Sequence, residues 1–375
     1  MQSLVFAAIA MRLMVTDTQS PGASSSSPAS RPAGESQDST PASAPASKPG
    51  PESRKEDKGF YVEARSTGTR RDTEPPRYVR RLGVTPIEDL SWLELGLDYR
   101  LRYEYRDDDF RRNDQVFDDP FMKRTRAYVG AKDKFDPFRF GVEFEDARRA
   151  NSQFAEDDRD VNKNEIIQAF GELYFEDALG KDRPFRVQVG RMAFEYVDRR
   201  LVARNEWRNT TNNFEGARVI LGQQKNDWQL DLFALNPVRR RIDLPDSANG
   251  EQQFYGAVGD IRAWSDVVTL QPYYFLLHQD GTAKTINREI HTVGLRGYGV
   301  AKAPGFDYDL QQIIQFGNSN ERTHQAWAAT AEVGYAFEGD WKPRASAFIG
   351  YASGDRDPND SKSQRFDRLF GFARP

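Results

Sequence analysis

Residues 92–106 read WLELGLDYRLRYEYR, and apolar and polar positions alternate without a break for the thirteen residues from 93 to 105. Odd positions from 93 to 105 carry only Leu and Tyr, whereas even positions carry Glu, Gly, Asp or Arg. Side chains of a strand point alternately to opposite faces, whereas a helix would scatter these apolar residues around its circumference. The pattern therefore predicts a strand with one apolar face and one charged face. Its length exceeds the ~5–6 residues usual in soluble proteins and suits a tilted membrane span of ~9–11 residues.

Similar stretches follow at short intervals along the chain. The predicted strands are 92–106, 122–134, 137–147, 165–176, 184–191, 214–223, 227–236, 253–264, 266–278, 288–300, 305–317, 325–337 and 341–352. Tight turns such as Phe135-Asp136-Pro137 join some of them, and long charged segments such as 107–121 join others. Alternating short turns and long loops are typical of outer-membrane proteins. The sequence thus predicts an all-β protein, an antiparallel transmembrane β-barrel.

Composition narrows the class of protein. The chain has 375 residues, of which 38% are hydrophobic, and no run of 18 apolar residues could form a membrane-spanning helix. The balance of 53 Lys and Arg against 57 Asp and Glu gives a net charge of −4, so there is no basic field of the kind that nucleic-acid binding requires. The absence of cysteine excludes thiolate metal sites, a cysteine nucleophile and disulfides.

Three regions are expected along the chain. Residues 1–16 are interpreted either as a clipped or miscalled signal segment or as a disordered end. Residues 17–90 form a lead-in rich in Ser, Pro and Ala that has little to bury and is expected to be disordered. Residues 91–375 form the barrel. Thirteen strands is an odd number and the last ten residues do not resemble a closing strand, so we expect the barrel to be incomplete at the C-terminus.

A soluble β-sandwich is the main alternative fold. Its strands would alternate as well, but their apolar face would be buried against a second sheet. The density of charge inside long strands, and the scarcity of Gly and Asn clusters at sandwich spacing, argue against it.

Arginines dominate the polar face and are the candidate solute-binding residues. Neighbours at positions i and i+2 stand about 6.8 Å apart on a strand and would form a ladder of permanently charged donors for carboxylates. The candidates are Arg100, Arg102, Arg124, Arg126, Arg139, Arg191, Arg208 and Arg218. An alternative is that such arginines pair with acidic residues of the same wall and only brace it. The acidic residues considered are Glu104, Glu143, Glu145 and Glu172.

Motifs for catalysis or cofactor binding are weak. His278, His291 and His324 have no Gly-x-Ser-x-Gly companion, and there is no phosphate-binding glycine loop. Asp355, Asp357 and Asn359 are spaced as in a calcium loop but lack its central Gly and terminal Glu. We therefore expect no enzyme activity, no metal and no cofactor.

The most distinctive motifs lie between residues 190 and 218, and they resemble the alginate-export outer-membrane porin family. The matching segments are Gly190-Arg191, Asp198-Arg199-Arg200-Leu201-Val202, Trp207-Arg208-Asn209-Thr210 and Phe214-Glu215-Gly216-Ala217-Arg218, together with 351–370. The resemblance covers roughly residues 90–370.

Three positions depart from the family pattern. Met192 stands where Gln is expected, Val197 where Gly is usual and Glu215 where Asp is usual. None of these departures removes a charge.

The resemblance implies a porin in the outer membrane of a Gram-negative bacterium. It would pass an anionic, alginate-like polysaccharide or a smaller acidic solute through an arginine-lined lumen. Its partners would be that solute, outer-membrane lipid and periplasmic secretion components, and not nucleic acid. The alternative function is a non-transporting barrel that serves as a surface anchor or adhesin.

Overall fold

The computed structural model describes residues 6–12, 74–81, 90–107, 117–205, 207–263, 265–283, 285–301, 305–357 and 359–372. Almost all regular structure in them is β-strand. The strands are β1 (Phe6–Arg12), β2 (Val79–Arg81), β3 (Leu93–Tyr103), β4 (Phe121–Ala131), β5 (Phe138–Ala150), β6 (Asn162–Phe175), β7 (Phe185–Met192), β8 (Phe214–Leu221), β9 (Trp228–Arg239), β10 (Ser247–Ala248), β11 (Gln252–Ile261), β12 (Thr269–Gln279), β13 (Arg288–Val300), β14 (Phe306–Ser319), β15 (Arg322–Ala336), β16 (Arg344–Ala352) and β17 (Lys362–Ser363). A short 3-10 helix spans Val197–Arg199. In the described part of the chain, no helix is long and apolar enough to cross a membrane.

The strands form one antiparallel meander. Each strand from β2 to β9 pairs with the next, β9 pairs with β11, and the order continues to β16. β1 pairs with the far edge of β16, β10 pairs with the end of β9, and β17 runs parallel to β15. Among the described strands no pairing joins β2 to β1, so the sheet is not closed.

All thirteen predicted strands are confirmed, as β3–β9 and β11–β16. The structure adds four short strands that the pattern did not predict: β1, β2, β10 and β17. β1 lies inside the predicted signal segment and β2 inside the predicted lead-in. The expectations for residues 1–5, 13–73 and 82–89 concern positions outside the described residues.

The burial of side chains is the reverse of that in a soluble protein. On β3 the apolar residues face outward, and Leu97 is 71% exposed, whereas Glu94 on the other face is buried. β14 repeats the arrangement, since Leu310 is 50% exposed and Asp309 only 3%. Water would penalise such an exposed apolar face, whereas bilayer hydrocarbon would cover it. The inside-out alternation argues against the soluble sandwich and supports a membrane-facing sheet.

Turns at the two ends of the sheet differ in length, as expected. At one end the connections are short, for example 132–137 between β4 and β5 and 222–227 between β8 and β9. At the other end they are long, for example 104–120 between β3 and β4 and 193–213 between β7 and β8. We call these the short-turn end and the long-loop end.

Candidate solute-binding interior

Residues 193–213 form an inner loop that folds back over the polar face of the sheet. Their backbone closes on itself, because Tyr196 N donates to Val202 O at 3.1 Å and Asn212 N donates to Arg204 O at 3.0 Å. Phe194 and Leu201 are fully buried. A long loop that is packed by its own side chains and by the wall is a fixed part of the interior.

The inner loop contacts strands from both ends of the strand order. Arg100 on β3 donates to the carbonyl oxygen of Arg208 at 2.6 Å. Arg200 lies over the ring of Phe348 on β16, at 5.2 Å from its centroid. Strands far apart in the sheet therefore face one common interior, which means that the sheet is strongly curved.

An aromatic cluster fills one side of this interior. Ring centroids of Phe233 and Phe254 lie 5.1 Å apart, and those of Phe254 and Phe275 lie 5.6 Å apart. Phe194 of the inner loop stacks on Phe214 at 5.3 Å. Such pairs contribute about 0.5–1.5 kcal/mol each beyond the apolar area they bury. The cluster anchors the inner loop against β8, β9, β11 and β12.

The alternation rule missed this cluster, although the sequence carries a signal of it. Residues 232–235 read LFAL and residues 273–277 read YYFLL, so polar residues disappear from both faces of the strand there. Phe233 and Tyr273 are buried on the inner face. A local loss of alternation indicates that the inner face meets protein at that point.

The C-terminal segment 364–372 also enters the interior, beside the inner loop. Phe370 N donates to Leu201 O at 3.0 Å, and Ala203 N donates to Phe370 O at 3.2 Å. The Phe370 ring contacts Phe254 at 4.9 Å. This segment was expected not to form a closing strand, and the structure instead places it against the inner loop.

Four of the predicted arginines lie on β3 and β4 and hold the inner loop. Arg100 and Arg124 both donate to the carbonyl oxygen of Arg208, at 2.6 and 3.5 Å. Arg102 donates to the carbonyl oxygen of Trp207, and its guanidinium lies 4.9 Å from the Trp207 ring centroid.

Carboxylates also pair with some of these four arginines on β3 and β4. Arg126 pairs with Glu145 at 2.8 Å and donates to Thr211 of the inner loop. Arg124 pairs with Asp98 at 3.3 Å. These arginines thus brace the wall and the loop, as the alternative interpretation of the ladder expected.

Deeper ion pairs surround the same interior. Glu143 on β5 is fully buried and accepts from Arg204 of the inner loop at 2.8 Å. Arg218 on β8 pairs with Asp231 on β9 at 2.8 Å. A buried charge is tolerated only when it is paired and hydrogen-bonded. Arg204 was absent from the predicted site residues because it lies in no predicted strand and in none of the matching motif segments.

Two predicted residues lie away from the inner-loop contacts. Arg139 pairs with Asp136 at 2.6 Å and stacks on Tyr174 at 3.4 Å, so it braces the turn at the short-turn end. Its hydrogen bond to Asp136 lowers the pKa of that carboxyl group below its usual value. Arg191 pairs with Glu215 and donates to the carbonyl oxygen of Ile166 at 2.8 Å.

Arg208 differs from the other seven candidates. Within the described part of the chain its side chain has no hydrogen bond or ion pair. Burial and the nearby charges of Arg240, Arg368 and Arg159 lower the pKa of Arg208 to about 10, so it remains charged at neutral pH. A half-buried cation with cationic neighbours is a candidate anion-binding position.

Two of the cavities that the described residues form lie in the interior. One of about 200 Å³ lies near the long-loop end, between Arg240, Asn212 and Phe370. The other, of about 110 Å³, lies near the short-turn end beside Arg139 and Arg218. Both are bordered by guanidinium groups and separated by the inner loop and the aromatic cluster.

The two glycines of the distinctive motif have a structural reason. Gly190 and Gly216 are register partners across β7 and β8, and both have positive φ, 129° and 151°. A Cβ on Gly190 would clash with the carbonyl oxygen of Ala169 on β6, and a Cβ on Gly216 with that of Ala234 on β9. The motif thus marks where the chain leaves β7 for the inner loop and returns in β8.

An inside-out antiparallel sheet with a charged interior is typical of the class of outer-membrane β-barrel proteins. Within that class, the sequence pattern of the family described as "Alginate export" matches residues 91–375. The chain therefore belongs to the alginate-export family, which is a transport family of outer-membrane proteins and not an enzyme family. No curated protein matches the chain.

Proposed function

We propose that this chain is an outer-membrane porin that passes an anionic polysaccharide of the alginate type, or a smaller acidic solute, across the membrane. Membership of the family supports the class of solute. The outward apolar faces of β3 and β14 support a surface in contact with lipid. The transport is passive and involves no bond chemistry.

The observation that carries the proposal is the lack of a partner for the Arg208 guanidinium among the described residues. The other seven predicted arginines contact carboxylates or backbone carbonyls, whereas the guanidinium of Arg208 has no such contact among the described residues and can receive a ligand. Exposed Arg159 and Arg368 lie near enough to affect its charge. Together with Arg240 they offer adjacent positions for successive carboxylates at the long-loop end.

Passage along this path would use several weak sites. A carboxylate exchanges part of its hydration for a guanidinium contact, and the next arginine competes for it. The acidic neighbour Asp158, whose charge opposes the cationic neighbours of Arg208, would limit how tightly the solute is held. Periplasmic secretion components would deliver the polymer to the short-turn end.

A second candidate is a surface barrel that transports nothing and serves as an anchor or adhesin. The observation that favours it is the filled interior, because the inner loop and the C-terminal segment pack against Phe214 and Phe254. In that case the long loops would bind a partner outside the cell.

Single-channel recording under a salt gradient, with and without oligouronates, separates these functions. We expect an anion-selective current that oligouronates block, and a block weakened about tenfold in Arg208→Gln through loss of a charge-assisted contact. Arg148→Gln is the matched control, since Arg148 faces outward near the same end and pairs with Asp146. A folded protein that carries no current would support the anchor instead.

A further inference from the structure

The lead-in segment Glu74–Arg81 enters the interior at the short-turn end. β2 pairs with β3 in the register Val79 to Gly96, next to the turn that joins β4 and β5. A Cβ on Gly96 would lie 2.8 Å from the Tyr78 ring and 2.9 Å from Val79 Cα. Gly96 occupies an inward position of the strand, so its missing side chain leaves room for Tyr78 inside.

Tyr78 joins the lead-in to the buried ion pair of the inner loop. Its hydroxyl donates to Glu143 at 2.6 Å, and Glu143 also accepts from Arg204 and Gln168. Burial, followed by the charge of Glu143, raises the pKa of Tyr78. The tyrosine is therefore a neutral donor that completes the shell around this carboxylate.

Glu74 gives a second contact, of a different kind. Its carboxylate accepts from Arg218 at 2.7 Å, although Arg218 is already paired with Asp231 at 2.8 Å. Asp231 is part of the wall and its side chain is 4% exposed, whereas that of Glu74 is 38% exposed. Glu74 is thus the exchangeable carboxylate on this guanidinium.

The short-turn cavity gives a competing carboxylate access to this ion pair. Five cationic side chains and three carboxylates line it: Lys132, Arg139, Arg186, Arg204 and Arg218, with Glu74, Glu94 and Glu172. A solute carboxylate in this cavity could take the position of Glu74 without disturbing Asp231.

We propose that residues 74–78 are an autoinhibitory latch, in which Glu74 occupies on Arg218 the place of a carboxylate of the acidic solute. An arriving polyanion displaces Glu74, Tyr78 leaves Glu143, and the short-turn end of the interior opens. The latch rests on the proposed porin function and adds to it a closed resting state that is held by the chain itself.

Recording in KCl alone, without any polysaccharide, tests the latch. We expect Glu74→Gln to raise the ratio of open to closed time about tenfold, because a charge-assisted hydrogen bond is replaced by a neutral one. Glu338→Gln should leave it unchanged, since Glu338 is an exposed glutamate in another turn at the same end. Equal open times in wild type and Glu74→Gln would overturn the latch. Oligouronates added to the same bilayers after the KCl recording would then test the porin function separately, and a block of the current would leave it standing. Absence of current from every variant would overturn both.

Deuterium uptake of the intact wild-type protein provides a measurement that needs no variant. A hexameric oligouronate should increase uptake in residues 76–81, whose Val79 N donates to Pro76 O at 2.9 Å and whose β2 pairs with β3. Unchanged or slower uptake at an oligouronate concentration that blocks the current would contradict displacement of the segment.

Discussion

Arg100 donates a 2.6 Å hydrogen bond to the carbonyl oxygen of Arg208, so an arginine of the wall fixes the backbone of a residue whose own guanidinium has no hydrogen bond or ion pair among the described residues. The two residues therefore have different tasks. Arg100 positions the inner loop, and Arg208 is the solute contact that we propose. Arginines that border the same interior cannot be assigned a role until their partners are known.

Replacement of Arg100 by Gln should loosen the inner loop without removing the guanidinium of Arg208. Hydrogen bonds from charged donors contribute about 1.5–3 kcal/mol, so amide exchange in residues 207–212 should become at least about tenfold faster. Hydrogen–deuterium exchange of the protein in lipid measures this. Arg139→Gln is the control, because Arg139 braces a turn at the opposite end. Equal exchange in wild type and Arg100→Gln would show that other contacts hold the loop.

Single cysteines at positions 97 and 98 should distinguish the outer face from the inner face. Leu97 is 71% exposed, whereas the Asp98 side chain is 32% exposed. If lipid covers the outer face, a charged thiol reagent should label Asp98→Cys faster than Leu97→Cys in liposomes, despite the lower exposure of position 98. Faster labelling at 97 would indicate water at that surface and contradict the membrane assignment.

Strand positions could be predicted from the sequence because the membrane and the interior impose opposite polarity on neighbouring residues. The seven alternating apolar residues from Leu93 to Tyr105 carry that constraint. The partners of the inward-facing charged side chains could not be predicted, since they depend on segments that fold into the interior. Neither the pairing of Glu143 with Arg204 nor the contact of Glu74 with Arg218 follows from the periodicity of any strand.

Gly216→Ala should destabilise the folded barrel. The substitution adds a Cβ at a φ of 151°, where it would clash with the Ala234 carbonyl oxygen. Strained backbone of this kind costs about 1–3 kcal/mol before any clash is counted. Urea unfolding of the protein in liposomes measures the loss. Gly171→Ala is the control, because nothing lies within 4 Å of a Cβ at Gly171. If both variants unfold at the same urea concentration, the conformation assigned to Gly216 is wrong.

Phe370→Ala should open the interior. The Phe370 ring contacts Phe214 at 5.2 Å and Phe254 at 4.9 Å, so its loss leaves a void between the C-terminal segment and the aromatic cluster. Phe→Ala at a packed site typically costs about 3–5 kcal/mol, although the partial exposure of Phe370 places the expected loss below that range. The substitution leaves the wall strands untouched. The void should therefore appear as higher conductance in KCl, while the strand content measured by circular dichroism stays unchanged. Phe337→Ala, at an exposed position in a turn of the short-turn end, should leave the conductance unchanged. An unchanged conductance in Phe370→Ala would mean that the ions take a path that the C-terminal segment does not border.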